Sequence, residues 1–408
     1  MSATIPFSYQ YGFQSDLYSS MCLDVATYDP KWNQPHFFRG QVRSPRAFAQ
    51  NLLLLSKVVR THFFLATPPD YLDPVITATP EILRLEGFSG CCCVYARADL
   101  PAAAFDGEIL QSGTTNVDFG TPMQLALARI TDSDSIRFQV GRDEVELKTS
   151  EESVVERKVA LPVRWVKSFT EVQALQPRLV ERWKVVRDEA VKFFKTLPKG
   201  KSPKQTMYAV PSGKGVRLST RAAGGGVAFC GVHRVAVLQP LLSTCDWLRV
   251  WADDETGISG WEISGAAGRF FLLLSPQPYR GFSGEGQNLS TLASKPWEFS
   301  QSGFDVSTQA TFDRELPLDL SGLQEMQPRL KAAHKLIEKG GVEIAKRISA
   351  TEGDVTVPGT ETRHYVRLRD GGDVCSCRWH SCYQGQRGPC KHILAALMLF
   401  EDHEEPRC

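Results

Sequence analysis

Eighteen residues near the C-terminus, CSCRWHSCYQGQRGPCKH (Cys375 to His392), hold four of the chain's eleven cysteines and two of its eight histidines. Such a concentration constrains the fold more than any hydrophobic pattern does, because a metal shared by four side chains fixes the segments that carry them. The opening MSATIPFSYQYGF has no basic stretch followed by an apolar one, and the longest apolar runs fall short of the ~20 residues that span a bilayer. A cytoplasmic location is expected, where thiols stay reduced and clustered cysteines point to metal or catalysis before disulfides.

Locally, HYVRLRDGGDVCSCRW reads as a strand, an Asp370-Gly-Gly-Asp373 turn and a second strand. Residues two apart on a strand share a face, so Cys375 and Cys377 present both sulfurs on one side. Residues 378 to 389 read as a loop of twelve. GPCKHILAALMLF then places Cys390 in a pre-helical turn and His392 in the first turn of a helix with Ile393, Leu394 and Leu397 on its apolar face. These four side chains can complete a tetrahedral Cys₃His site for one Zn²⁺; with every position filled its role is structural and not hydrolytic. In a unit of fewer than ~40 residues, metal-binding energy becomes folding energy. Three thiolates around Zn²⁺ leave about one negative charge, which Arg378, Arg387 and Lys391 stand near enough in sequence to offset. The competing set of Cys375, Cys377, His380 and Cys382 crowds four ligands into eight residues and strands Cys390 and His392, so His380 and Cys382 are expected as loop residues.

At 408 residues the chain exceeds one core, and its patterning predicts an α+β fold. The expected organisation is an N-terminal α+β domain (1–165), a helical connector (166–206), a strand-rich middle domain (207–310), a helical segment (311–350) and the metal-binding unit (351–408). SPRAFAQNLLLLSKVVRTHF, Ser44 to Phe63, has Ser then Pro ahead of helical apolar spacing and predicts a buried helix. SIRFQV and EVELK alternate about Gly141-Arg-Asp143 and predict a hairpin. Ser168 to Lys204 reads as helix broken at Pro177, with a solvated tail of lysines that includes Lys201 and Lys204. VRLST, VAFCGVHRVAVL, WLRVWA and RFFLLLS read as strands, with Trp247, Trp251, Trp261 and Phe270 filling a core. A Gly, Ser and Gln-rich loop follows Arg280, and a helix from about Gln327 to Lys339 stops at Gly340-Gly341.

The pattern C-x-C-x₁₂-C-x-H, here CSC and CKH before an apolar helix, resembles the SWIM zinc finger family. The resemblance implies a small ββα zinc-binding module that contacts DNA or proteins. FSGCCCVYARADL, GTTNVDF, VERKVALPVRWVKSFTEVQ, YRGFSGEG and FDRELP are further similar to blocks of an uncharacterised bacterial family that ends in such a finger. Relatives often encoded beside MoxR-type AAA+ ATPases and von Willebrand factor A proteins imply a place in such an assembly. Some members carry a winged-helix-like segment between the last two blocks, for which the 25 residues present here are too few.

Other groups are weaker candidates. Cys91-Cys92-Cys93 alternate faces if they lie on a strand, so they cannot all bind one metal, and no His is near in sequence to activate one; reduced core residues are expected. Asp106, Glu108, Asn116 and Asp118 are a possible carboxylate site, against which Thr114, Thr115 and Asn116 read as turn residues. Phosphate-loop, GxSxG and HExxH motifs are absent, and RAAGGGVAF is a turn without a following helix, so no catalytic or cofactor-binding residue is assigned. A formal charge of +1 favours a protein partner over bulk electrostatic binding of nucleic acid. The runner-up is nucleic-acid binding by the finger, where six basic residues face two acidic ones between Arg363 and Lys391.

Overall fold

The computed structural model describes residues 22–23, 36–63, 74–110, 112–159, 161–199, 205–284, 286, 289, 302–313, 327–360 and 362–402. The expectations for the opening segment, for Lys201 and Lys204, for most of the loop after Arg280 and for the missing winged segment lie outside these residues. Two compact units form, one from Met1–Val166, Leu175–Phe282 and Gln301–Pro317, the other from Lys167–Ala174, Ser283–Ser300 and Leu318–Cys408.

In chain order, β1 (Cys22–Leu23) and β2 (His36–Val42) precede α1 (Pro45–Arg60), then come β3 (Val75–Ala78), β4 (Ile82–Phe88) and β5 (Val94–Pro101). Next are β6 (Phe105–Ile109), β7 (Gly113–Asn116), α2 (Thr121–Arg129), β8 (Arg137–Gly141), β9 (Glu144–Lys148), β10 (Ser153–Arg157) and β11 (Leu161–Pro162). After α3 (Val163–Leu175) follow β12 (Val180–Val186), α4 (Arg187–Thr196), β13 (Thr206–Ser212), β14 (Gly215–Ser219), β15 (Val227–Cys230) and α5 (Val232–Ala236). The first unit ends with β16 (Cys245–Asp253), β17 (Ile258–Gly265), β18 (Gly268–Leu274), β19 (Ser302–Asp305) and β20 (Ala310–Asp313).

Helix and strand are mixed, with strands dominant and arranged in several sheets. An antiparallel eight-stranded sheet runs β12-β16-β17-β18-β5-β4-β3-β7, and a five-stranded one runs β10-β9-β8-β2-β6. The larger sheet is joined through β18 and β5, where Phe271 lies opposite Arg97 and Leu273 opposite Tyr95. Strands before and after residue 165 thus share one sheet. Both central strands are buried on both faces; β18 is a near-continuous apolar run, whereas β5 buries Arg97 and Asp99 among its apolar residues. Helix α1 covers β4 and β5 with Leu52, Leu55, Val58 and Val59, and Pro45 starts it, while the Ser44 side chain makes no capping bond. The β8–β9 hairpin pairs Phe138 with Leu147 and Val140 with Val145, as the alternation predicts.

Several elements depart from the sequence reading, among them Cys377, which leaves the strand of Cys375 to cap the helix that follows. Val180–Val186 is a strand and not helix, because Trp183 and Val185 alternate inward while the strand pairs with β16 at the sheet edge. That pairing overrides the helix propensity of its Glu, Arg and Lys residues. VAFCGVHRVAVL is a short strand followed by α5, since Gly231 takes φ 73° and turns the chain. The expected loop at 378–389 begins with a helical turn, Arg378–Tyr383. Of the tryptophans, Trp251 and Trp261 are buried with Phe270, whereas Trp247 is half-buried under Lys184 and Arg249.

A buried ion network crosses the first unit. Arg84 on β4 lies opposite Asp99 on β5 and donates Nε to its Oδ1 at 2.7 Å. Arg97 Nε lies 3.1 Å from Asp99 Oδ2, and Arg97 Nη2 reaches Asp305 Oδ1 at 2.5 Å. Arg84 bonds the other Asp305 oxygen, and all four side chains are at most 4 % exposed.

In the second unit β21 (Glu343–Arg347), β22 (Gly353–Pro358), β23 (Arg363–Leu368) and β24 (Val374–Cys375) form an antiparallel sheet in that order. The helices are α6 (Pro328–Glu338), at the predicted place, α7 (Arg378–Tyr383) and α8 (Lys391–Asp402). Helix α8 packs on α6, β22 and β23. Val355, Val357, Val366 and Leu368 alternate inward to meet Leu330 of α6 and Leu394 and Phe400 of α8. At Gly353 an added Cβ would lie 2.3 Å from Phe400 Cζ and 2.6 Å from the Lys346 carbonyl oxygen. Gly353→Ala is therefore expected to destabilise this unit by about 1–3 kcal/mol, read as a lower urea midpoint at unchanged slope; an unchanged midpoint would show that the ring moves aside freely.

Candidate metal centre

The four donors reach one point from three elements. Cys375 ends β24, Cys377 caps the N-terminus of α7, and Cys390 and His392 flank the start of α8. All four are buried, and their ligand atoms lie within 4.8 Å of one another. His392 Nδ1 is 3.9 Å from Cys375 Sγ and 4.0 Å from Cys390 Sγ. Zn–S bonds of ~2.3 Å and Zn–N bonds of ~2.0–2.1 Å on a tetrahedron put sulfur and nitrogen about 3.6 Å apart, so the group needs only small inward shifts to hold such an ion.

Backbone N–H groups turn toward the sulfurs. The His380 amide donates to Cys377 Sγ at 3.4 Å, and the amides of Cys377 and Ile393 donate to Cys375 and Cys390. Bonds of this kind favour the thiolate form. Without a cation, however, three adjacent thiolates repel. Hydrogen bonds from the Cys375 and Cys390 thiols hold Cys377 far below the ordinary thiol range. The same sharing with Cys377 and Cys390, followed by burial, pushes Cys375 far above it. Cys390 is drawn down by Cys375 but raised by Cys377 and by burial, and ends at about 11. One negative charge is thus tolerated, and the second and third need a bound cation.

His392 Nε2 is buried without a hydrogen-bond partner among the described residues, and the His364 ring packs at 4.3 Å between centroids. His380 and Cys382 stand outside the donor group; Cys382 is exposed, and the backbone of His380 serves Cys377. Trp379 lies beneath the Arg329 guanidinium at 4.9 Å, while Arg329 Nη1 donates to the carbonyls of Arg387 and Pro389 at 2.7 and 2.9 Å. The segment leading to Cys390 is thereby tied down.

The carboxylate candidates do not gather. Asp106 on β6 is exposed with Arg43 3.8 Å away, whereas Asp118 pairs with Arg60 at 2.9 Å after β7, in a different sheet. Thr114, Thr115 and Asn116 lie on β7 and not in a turn, and the buried Asn116 side chain donates to the Val159 carbonyl. The side chain of Glu108 lies outside the described residues. Among the described residues no other trio of His, Cys, Asp or Glu forms a metal-sized group. The Arg84–Arg97–Asp99–Asp305 network escaped the sequence reading, and a local signal existed only in the Arg and Asp two apart within the apolar run VYARADL.

No protein-family model matches the chain, and no curated protein does. Among solved structures, the proliferating cellular nuclear antigen of Entamoeba histolytica is similar at a TM-score of 0.41 and 12 % identity, covering 59 % of this chain and 99 % of that one. The PCNA2–PCNA3 complex of Sulfolobus tokodaii gives 0.39 and 12 %, with the same coverage. Likeness at that level defines neither fold nor role. What the chain does show is a strand-rich mixed fold with a four-donor centre able to hold a metal ion, and no described helix long and apolar enough to cross a membrane.

Proposed function

We propose that the chain is a zinc-dependent adaptor, in which one structural Zn²⁺ held by Cys375, Cys377, Cys390 and His392 fixes a SWIM-type finger that docks a protein partner. The buried, mutually adjacent donor set carries this reading. Four protein ligands leave no position for water or substrate, so the ion shapes a surface and performs no hydrolysis.

The surface lies on the outward side of β23. Arg363, Tyr365 and Arg367 alternate outward there, with Val374 opposite Arg367. Tyr365 is 68 % and Val374 50 % exposed, and an exposed aromatic rimmed by polar groups is a typical interface anchor. Much of the local basic charge is already engaged. Arg363 pairs with Glu343 at 3.1 Å, Arg369 with Asp354 at 2.6 Å, and Arg387 donates to the Gly284 carbonyl at 2.9 Å. This supports a protein over a phosphate backbone. The MoxR-type AAA+ ATPases and von Willebrand factor A proteins implied by the sequence resemblance are the partners to try first.

Affinity capture from the native host with the full chain tests the proposal. Tyr365→Ala is expected to weaken recovery of the partner by about thirtyfold in affinity, as for an interface residue worth about 2 kcal/mol; undiminished capture would remove this face from the interface. A second reading, nucleic-acid binding by the same row, has the aromatic flanked by two guanidiniums in its favour. Titration with DNA at several salt concentrations separates the two, since phosphate contacts give a steep salt slope and the protein reading expects none.

A further inference from the structure

Cys91, Cys92 and Cys93 occupy the tight turn between β4 and β5, where the Ser89 amide donates to the Val94 carbonyl at 2.9 Å and the Cys92 amide to the Ser89 carbonyl at 2.7 Å. They are not on a strand, as the alternation argument supposed. Cys92 takes the left-handed φ of 54°, and this brings the sulfurs of Cys91 and Cys93 to 3.2 Å. A disulfide requires ~2.05 Å, so closure needs about 1 Å of approach. Cys91 is partly exposed, while Cys92 and Cys93 are buried.

The turn is held from outside. Gly90 donates to the Thr61 carbonyl at 3.0 Å, Phe282 to Cys92 at 2.8 Å, and both Ser275 and Arg234 to the Cys93 carbonyl at 3.1 Å. Arg234 is fully buried, and its remaining bonds go to the Cys230 carbonyl and the Ser275 hydroxyl. Among the described residues no carboxylate forms an ion pair with it; the groups whose charge would offset its own are the thiols of Cys93, Cys230 and Cys91. A guanidinium does not deprotonate, and a buried charge demands a counter-charge. The anion that this pocket favours is a thiolate. The Cys93 thiol, hydrogen-bonded to Cys91, draws Cys91 down to about 5 against the opposing effect of burial. Two histidines distant in sequence also arrive: His62 lies against Gly90, and His233 is near enough to feel the Cys91 thiolate. Both nitrogens of His62 and Nδ1 of His233 are buried without hydrogen-bond partners among the described residues. Tertiary structure thus brings to the turn the imidazoles that its neighbouring sequence lacks.

We propose that Cys91 and Cys93 form a redox-active dithiol whose substrates are small-molecule disulfides. The Cys91 thiolate attacks one sulfur of the disulfide RSSR, the S–S bond breaks, and RS⁻ leaves and takes up a proton. Cys93 then loses its proton and attacks Cys91 Sγ, expelling the second RS⁻, which is protonated in turn. The two protein thiols lose two electrons and two protons, and RSSR becomes two RSH. A low-pKa sulfur is also a good leaving group, so the new disulfide is readily reopened by a dithiol reductant.

The test uses the full native chain, freed of reductant and exposed to oxidised glutathione, then acid-quenched, alkylated and digested with trypsin. The peptide from Leu85 to Arg97 carries all three cysteines and none of the metal-centre ones. The expected result is loss of two hydrogens from this peptide, with the first alkylating reagent on Cys92 and a second reagent, added after reduction, on Cys91 and Cys93. Dithiothreitol restores three free thiols. Cys92→Ser keeps the reaction, whereas Cys93→Ser stops it at a glutathione adduct on Cys91. Three freely alkylated cysteines in the native wild type, a bond to Cys92, or oxidation that occurs only in urea would each overturn the proposal.

Discussion

Elemental analysis of the purified full chain is expected to give about one zinc per chain, lost in Cys375→Ser or Cys390→Ser and retained in Cys382→Ser. Electrostatics oppose an empty site: three sulfurs crowd one buried point, where Cys377 is held low while Cys375 and Cys390 are pushed up. A divalent ion reverses that balance. Structural zinc contributes an apparent ~10–16 kcal/mol at neutral pH, comparable to or larger than the ~5–15 kcal/mol that separates most folded domains from unfolding. Chelation should therefore abolish the cooperative melting of the second unit, whose core includes Cys375, Cys377 and Cys390 alongside Val366, Leu394 and Phe400. Because protons compete for the ligands, retention weakens as pH falls. Loss of zinc from Cys382→Ser would overturn the ligand set, and an unchanged melt after chelation would refute the structural role.

The second large effect is expected in the ion network. Asp305→Ala removes one partner of two guanidiniums that are at most 4 % exposed and should cost about 3–5 kcal/mol. Acid should do the same gradually. Burial raises the Asp305 carboxyl, but Arg97 and Arg84 outweigh burial and hold it well below the usual carboxylate range. A depressed folded-state value contributes stability that is fully present above the unfolded value, about 3.9, and is lost as pH falls through the folded one. Urea unfolding of the wild type should therefore weaken steeply below about pH 4, and Asp305→Asn should flatten that slope while lowering stability at neutral pH. Equal slopes in the two proteins would place the acid sensitivity elsewhere.

Several parts of the molecule were legible without coordinates because their information is local. Helix α1 follows from Pro45 and the spacing of Leu52, Leu55 and Val59; the β8–β9 hairpin follows from alternation about a turn; and the four donors that meet at the metal centre follow from the spacing of CSC and CKH ahead of an apolar helix. In the first two cases a residue's neighbours along the chain set its geometry; in the third the spacing marks the donors and the fold brings them together. Strand β12 shows where this fails, since ERWKVV has helix-favouring residues and becomes a strand only when β16 offers it an edge.

The sequence by itself determined the mixed, strand-rich character, the main helices and the place of the donor cluster, because periodicity and ligand spacing act within a few residues. Only the tertiary structure decided that strands from both sides of residue 165 share one sheet, that Asp305 lies between Arg84 and Arg97, and that His62, His233 and Arg234 surround the Cys91 turn. Those pairings join residues far apart in sequence. Burial made them necessary, because a charge or thiol removed from water must find its partner wherever the fold brings one.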